Sequence, residues 1–282
     1  MDANAGFVRC DVPREGGALA VDVAGRGPLV LLVPGMGELR SSYRHMVGGL
    51  VRAGFRVAVM DLRGHGESST CFTSYDDAAT GDDILAVINA MDSGPAVIVG
   101  NSMGAAAAVL AASRRPETVS ALVLIGPFVR DGGNLLLRAL MRLALLPPWG
   151  PAVWRRYHAS LFGAVVEPDH PEHLARVSAA LSRPGYFRAF RATASGSHAQ
   201  AQSALRAVRA PVMVVMGDKD PDFPDPGAEA RWVADSVGGQ VVMVSGAGHY
   251  PMAEQPEVVL RAVLPFLGEA VGGGGRGGSA LA

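Results

Sequence analysis

The stretch Gly100-Asn101-Ser102-Met103-Gly104 sets a single hydroxyl between two glycines. A serine hydroxyl is a weak nucleophile until a neighbouring base takes its proton. To reach a substrate it must also project from the backbone. A very tight turn from a strand into a helix does this by holding the nucleophile in a strained conformation. At such a turn, the positions two before and two after the serine come too close to other atoms to carry side chains. Gly100 and Gly104 meet both demands, and the alanines at 105–108 let the following helix pack close to its strand. The letters read G-x-S-x-G in a strand–turn–helix context, which an incidental serine in a glycine-rich turn would not require.

A nucleophile placed this way needs a sheet to carry it and later elements to bring it a base. Short apolar runs at residues 18–23, 29–33, 56–60, 96–99, 121–125, 211–216 and 240–244 read as strands. Several are nearly continuous Val, Leu, Ile and Ala, the pattern of strands covered on both faces. Helical patterns alternate with them at 42–53, 75–91, 103–114, 227–237 and 256–267. The alternation predicts an α/β fold, a mostly parallel twisted sheet with helices on both faces and right-handed crossovers. Between Gly126 and Ala210 there is no convincing strand. The predicted organisation is therefore a core of residues 1–130 and 210–271, a helical insertion at 131–209, and a glycine-rich tail at 272–282 expected to be disordered.

Composition narrows the function classes. The 282 residues are 49% apolar, enough for a large core, and 25 basic residues against 26 acidic ones leave a net charge of −1. That balance points away from a nucleic-acid groove. Cys10 and Cys71 stand far apart with no C-x-x-C, which argues against a disulfide framework or a structural zinc site. The opening MDANAGFVRCDVPREGG lacks the apolar centre of a signal peptide, and no uncharged apolar run reaches membrane-spanning length. The expectation is a cytoplasmic protein.

Over about residues 29–267 the chain resembles the α/β-hydrolase superfamily, in its serine-nucleophile, capped esterase/lipase-like branch. The resemblance implies that an acid and a base follow Ser102 in that order. The acid commonly takes the fourth position of G-x-x-D, here Asp220 in MGDKDPDFPDP. Asp218, Asp222 and Asp225 crowd around it, and each is also a residue that turns favour. Some relatives place the acid after the sixth strand, where Asp131 in the turn-like VRDGG would serve. The loop SGAGHYPMAEQPE looks like the family's histidine loop, with His249 as the base. An oxyanion hole needs two backbone N–H groups. By resemblance these belong to Met103 and to Met36 in LLVPGMGEL. Pro34 stands where the family often has histidine, which bears on the loop's geometry and not on the backbone donor.

DLRGHGES looks like another family loop, and His65 within it reads as part of a tight structural turn, since His249 fills the base role. His170-Pro-Glu-His173 has metal-compatible spacing but no evident third ligand, so it reads as a solvated loop. The resemblance makes the insertion a cap over the serine. Residues 135–146 put Arg138 and Arg142 on one helical face and offer Leu135, Leu136, Leu140, Leu143 and Leu146 for burial. A lid over an apolar pocket is favoured over a helix lying on a membrane. Leu140, Trp149, Trp154 and Phe162, with Phe187 and Phe190, are candidates for touching an apolar acyl or ring portion of a substrate. The implied activity is hydrolysis of small apolar carboxylic esters or lactones through an acyl-enzyme, with no cofactor or metal. GNSMG also resembles the elbows of carbon–carbon bond hydrolases. A non-hydrolytic cyclase or a small-molecule receptor of the same fold completes the alternatives. Serine at 102 argues against the branches that use an aspartate nucleophile.

Overall fold

The computed structural model describes residues 6–132, 135–164 and 167–272. The glycine-rich tail predicted to be disordered lies, from residue 273 onward, outside the described residues. The chain begins with a hairpin, β1 (Val8–Arg14) and β2 (Gly17–Ala24), followed by β3 (Leu29–Val33), α1 (Arg44–Arg52) and β4 (Arg56–Met60). Next come α2 (Asp77–Met91), β5 (Ala96–Asn101), α3 (Met103–Arg114) and β6 (Val119–Ile125). Five helices follow: α4 (Leu135–Ala144), α5 (Gly150–Ser160), α6 (His170–Leu181), α7 (Tyr186–Ala194) and α8 (Ala199–Ala204). The core resumes with β7 (Val212–Gly217), α9 (Pro226–Val237), β8 (Gln240–Val244), α10 (Pro251–Glu254) and α11 (Pro256–Gly272).

The eight strands form one sheet in the order β1-β2-β4-β3-β5-β6-β7-β8. The β1/β2 and β2/β4 pairs are antiparallel and every later pair is parallel. The continuous apolar runs follow from this arrangement. Leu29, Leu31 and Val33 of β3 pack on the face with α2, α3 and α9, while Val30 and Leu32 pack on the face with α1 and α11. Residues of β5, β6 and β7 divide between the two faces in the same way. A strand buried on both faces loses the apolar/polar alternation of a one-sided sheet.

Two features depart from the sequence-based expectation. β1 carries Arg9, Asp11 and Arg14 and buries only Val12 well, so its edge position leaves little hydrophobic signal. In α4, Leu140 and Leu143 are not buried but 52% and 57% exposed, and Leu145, the residue after the helix, packs inward instead beside Trp154 and Phe190. No helix among the described residues is long and apolar enough to cross a membrane.

Candidate active site

In open α/β sheets, ligands bind outside the carboxyl ends of the strands, where the loops are free to carry function. Four such loops matter here, after β3, β5, β7 and β8. Ser102 is the residue between β5 and α3 and has φ 55 and ψ −122, a left-handed conformation for a non-glycine residue. Its N–H donates to the Ile125 carbonyl at 2.9 Å, and its carbonyl accepts from the Phe128 N–H at 3.3 Å. The strained turn is thus held from β6 as well as from its own helix.

The two glycines are required for different reasons. A Cβ on Gly100 would lie 2.5 Å from the Gly104 carbonyl oxygen, across the turn. A Cβ on Gly104 would lie 2.6 Å from the carbonyl oxygens of both Val33, the last residue of β3, and Pro34, the first residue of the loop after it. Ala105 through Ala108 are fully buried, so α3 sits flat on the sheet. Gly104→Ala is expected to cost roughly 1–3 kcal/mol, because rigid backbone must give way. Gly268→Ala, in α11 with nothing within 4 Å of the added carbon, should instead gain roughly 0.5–1 kcal/mol. Urea unfolding midpoints of the two variants check this contrast.

The structure brings Asp220 and His249 together. His249 Nδ1 donates to Asp220 Oδ2 at 2.7 Å, with both side chains essentially buried. That bond occupies Nδ1 and leaves Nε2 as the nitrogen free to accept a proton. Burial by itself lowers the His249 pKa, but the charge and hydrogen bond of Asp220, with the charges of Asp222 and Glu254, outweigh it, so the imidazole is raised above its ordinary value. Ser102 and His249 are tied together through Asn101, whose Nδ2 donates to the carbonyls of Ile125 at 3.1 Å and His249 at 3.2 Å. Phe128 completes the link, with its ring set edge-on to His249 at 5.7 Å.

Each aspartate of MGDKDPDFPDP has a separate partner. Asp218 accepts from the Gly246 N–H at 2.7 Å and so anchors the histidine loop. Asp220 holds His249 and accepts from the Asp222 N–H at 3.0 Å. Asp222 accepts from the Tyr157 hydroxyl and lies 3.7 Å from His249 Nδ1. Burial, with the Asp220 charge adding to it, pushes the Asp222 carboxyl up against the opposing pull of His249 and Tyr157. Asp225 caps α9, accepting from the Ala228 N–H at 2.8 Å. Asp131 is engaged elsewhere, accepting from Ser197 Oγ at 2.6 Å and the His198 N–H at 2.8 Å.

The loop after β3 lies against Ser102. A Cβ on Gly35 would lie 2.8 Å from the Ser102 Cβ, so Pro34-Gly35-Met36 runs directly beside it. Met103, the first residue of α3, is buried, and Met36 is partly buried. The Tyr43 hydroxyl lies 3.0 Å from the Val33 carbonyl and 3.2 Å from that of Val99, bridging the ends of β3 and β5.

Sequence reasoning passed over Glu254, which lies inside the quoted histidine loop. Its buried carboxylate accepts from the N–H groups of Gly248 at 2.9 Å and Tyr250 at 3.1 Å, flanking His249, and of Gly163 at 2.7 Å. The available signal was an acid five residues after the histidine at the end of a short helix. Asn101, Glu38 and Tyr157 were likewise missed as supporting residues.

His65 is buried and bonds through Nδ1 to the Arg63 carbonyl at 3.0 Å, in keeping with a structural turn. His170 and His173 are not in a solvated loop. They open α6, and His173 is fully buried with Nε2 3.0 Å from Glu38 Oε2. The expectation failed because the partner that pays for burying this imidazole lies 135 residues away. Of the candidate substrate contacts, Leu140 and Trp149 are each 52% exposed, Phe162 packs at a tilt against Tyr250 with ring centres 4.6 Å apart, and Trp154 is buried against Gly37. A cavity of about 480 Å³ opens between α5 and α6, lined in part by Trp154, His158, Leu174, Val177 and Leu181. It belongs to the inserted helices and not to the Ser102 turn.

A model of the alpha/beta hydrolase family matches residues 30–262, and the chain belongs to that family. It is 29% identical over 274 residues to the 2-(acetamidomethylene)succinate hydrolase of Mesorhizobium japonicum, covering 92% of this chain and 94% of that one. A thermophilic esterase from Thermogutta terrifontis superposes with a TM-score of 0.79 at 27% identity, covering 94% of this chain and 99% of the esterase. A serine hydrolase involved in carbazole degradation superposes with a TM-score of 0.74 at 25% identity, covering 93% and 99% of the two chains.

Proposed function

We propose that this hydrolase cleaves carboxylic esters or lactones of small apolar substrates through an acyl-enzyme on Ser102. The observation that carries the reading is the left-handed Ser102 at the end of β5, whose neighbour Asn101 bonds the His249 carbonyl, together with a buried His249 whose Nδ1 is held by Asp220 at 2.7 Å. In this reading His249 Nε2 takes the Ser102 proton as Oγ attacks the substrate carbonyl. The N–H groups of Met36 and Met103 receive the oxyanion. His249 then protonates the leaving alcohol, and the carbonyl re-forms as the acyl-enzyme. Water attacks that ester and gives a proton to His249, which passes it to Ser102 Oγ as the acid is released and Ser102 is restored. Asp220 keeps the imidazole in the tautomer that this sequence needs. The chemistry calls for no cofactor or metal. The inserted helices act as a cap, with Trp154 set against Gly37 of the loop after β3 and Phe162 against Tyr250 of the loop after β8.

The likeness to the Thermogutta terrifontis esterase supports ester cleavage. GNSMG, which resembles the elbows of carbon–carbon bond hydrolases, favours carbon–carbon bond hydrolysis as the second reading, and the likeness to the carbazole-degradation serine hydrolase supports hydrolysis by a serine in either case. Turnover of nitrophenyl esters of increasing acyl length tests the first. A defined chain-length optimum with sustained turnover is expected, and the optimum sizes the pocket. No turnover of any ester by folded protein would reject it in favour of carbon–carbon cleavage or non-hydrolytic chemistry. Product mass separates hydrolysis, which adds water, from cyclisation, which does not.

A further inference from the structure

The loop beside Ser102 ends on a buried carboxylate. Glu38 follows Met36 by two residues, and its side chain is fully buried. Its Oε1 lies 2.6 Å from His158 Nε2 and its Oε2 lies 3.0 Å from His173 Nε2. Oε2 also accepts from the Leu39 N–H at 3.1 Å. Both imidazoles come from inserted helices, His158 from α5 and His173 from α6. A neutral imidazole carries one N–H, and the tautomer protonated at Nε2 lets each ring donate to the carboxylate. Burial alone would raise Glu38, but the two histidines outweigh it and hold the carboxyl well below its usual range.

The preceding residue is held by the same helix. Gly37 has φ +75, and a Cβ there would lie 2.2 Å from the Trp154 ring of α5. Two consecutive residues after Met36 are therefore fixed by the insertion. On the core side, the turn closes through the Glu38 N–H donating to the Gly35 carbonyl at 3.3 Å. The next residue of α5 before His158 is Tyr157, which donates to Asp222 near His249. One helix thus reaches both the loop after β3 and the loop after β7.

We propose that Glu38 is a positioning residue for the oxyanion hole, its carboxylate gripped by His158 and His173 so that the Met36 N–H stays aimed at the position beside Ser102. This rests on the serine-hydrolase reading. A carboxylate stripped of its donors in this interior would be strongly unfavourable. Helices α5 and α6 therefore stay docked on the core through turnover and form part of the catalytic apparatus, whatever other parts of the insertion do.

The test uses Glu38→Gln, which keeps the volume and one acceptor oxygen, and His158→Gln. Ester kinetics are measured beside the affinity for a trifluoromethyl ketone, which forms an oxyanion when Ser102 adds to it. kcat is expected to fall about 10- to 100-fold, less than outright loss of an oxyanion donor costs. Ketone affinity should fall in parallel, while KM stays within about threefold. If kcat and ketone affinity stay within about twofold while only the melting temperature drops, the proposal is overturned and Glu38 is a structural latch alone. Should Glu38→Gln not fold, His173→Gln leaves the carboxylate its bonds to His158 and Leu39 and carries the same readouts. A wild-type protein with no ester turnover and no ketone adduct would sink the serine-hydrolase reading, and the proposal with it. That outcome is distinct from an active wild type with unaffected variants.

Discussion

Ser102→Ala is expected to remove ester turnover, lowering kcat on the order of 10⁴- to 10⁶-fold, the scale on which loss of a nucleophile acts when the rest of the site remains. The effect should not come from unfolding. Ser102 holds φ 55 in a turn fixed by Ile125 and Phe128, and a non-glycine residue in such a region costs on the order of 1–3 kcal/mol. Ser102→Gly relieves that strain, because glycine has no Cβ to clash. The glycine variant should therefore be inactive and more stable than wild type by about 1 kcal/mol. Paired kinetics and urea unfolding read both quantities. An inactive variant that is also less stable would contradict the claim that strain is stored at this turn for the sake of the hydroxyl.

Asp220→Asn should cost about 10³- to 10⁴-fold in kcat, because the imidazole loses the carboxylate that sets its tautomer and stabilises its cation. The pH profile should change as well. His249 acts as a base only when neutral, so kcat/KM rises with pH through its pKa. Burial opposes the charged ring, yet the surrounding carboxylates, Asp220 foremost with Asp222 and Glu254, together outweigh burial and the pKa is raised. The acid limb in wild type should therefore lie above the ordinary imidazole value. In Asp220→Asn it should move to lower pH, though Asp222, 3.7 Å from the same nitrogen, keeps part of the effect. The linked stability runs the other way. A histidine whose folded pKa is raised contributes stability that is fully present below its unfolded pKa and is lost as pH rises through the folded pKa. On this group's account, activity rises with pH over the window where stability falls. Measuring kcat/KM and the melting temperature against pH, in both proteins, tests the two slopes together.

The legible parts of the sequence were those in which local pattern and tertiary demand agree. The run from Ala96 to Ala112 spells a doubly buried strand, a glycine-flanked turn and a small-residue helix, and each piece serves the same geometry. Parallel strands buried on both faces announce themselves as apolar runs. The aspartates after β7 could be placed on a loop but not told apart by chemistry, since one holds a histidine, one meets a tyrosine from α5 and one caps α9. β1 was illegible because an edge strand need not be apolar. Glu38 and His173 were illegible because a buried carboxylate–imidazole contact between distant segments leaves two polar residues that each look solvated. In α4 the leucine pattern predicted a buried face, but Leu140 and Leu143 face out from the insertion's outer layer.

The central claim is that Ser102 carries an acyl intermediate. The most direct measurement is acid quenching during turnover of an activated ester, followed by mass spectrometry of the intact chain and of the peptide that contains Ser102. The account predicts one acyl group per chain, located on Ser102, forming and decaying at least as fast as steady-state turnover. Turnover with no adduct under conditions where acylation outpaces deacylation, or with an adduct on another residue that tracks kcat, would contradict it.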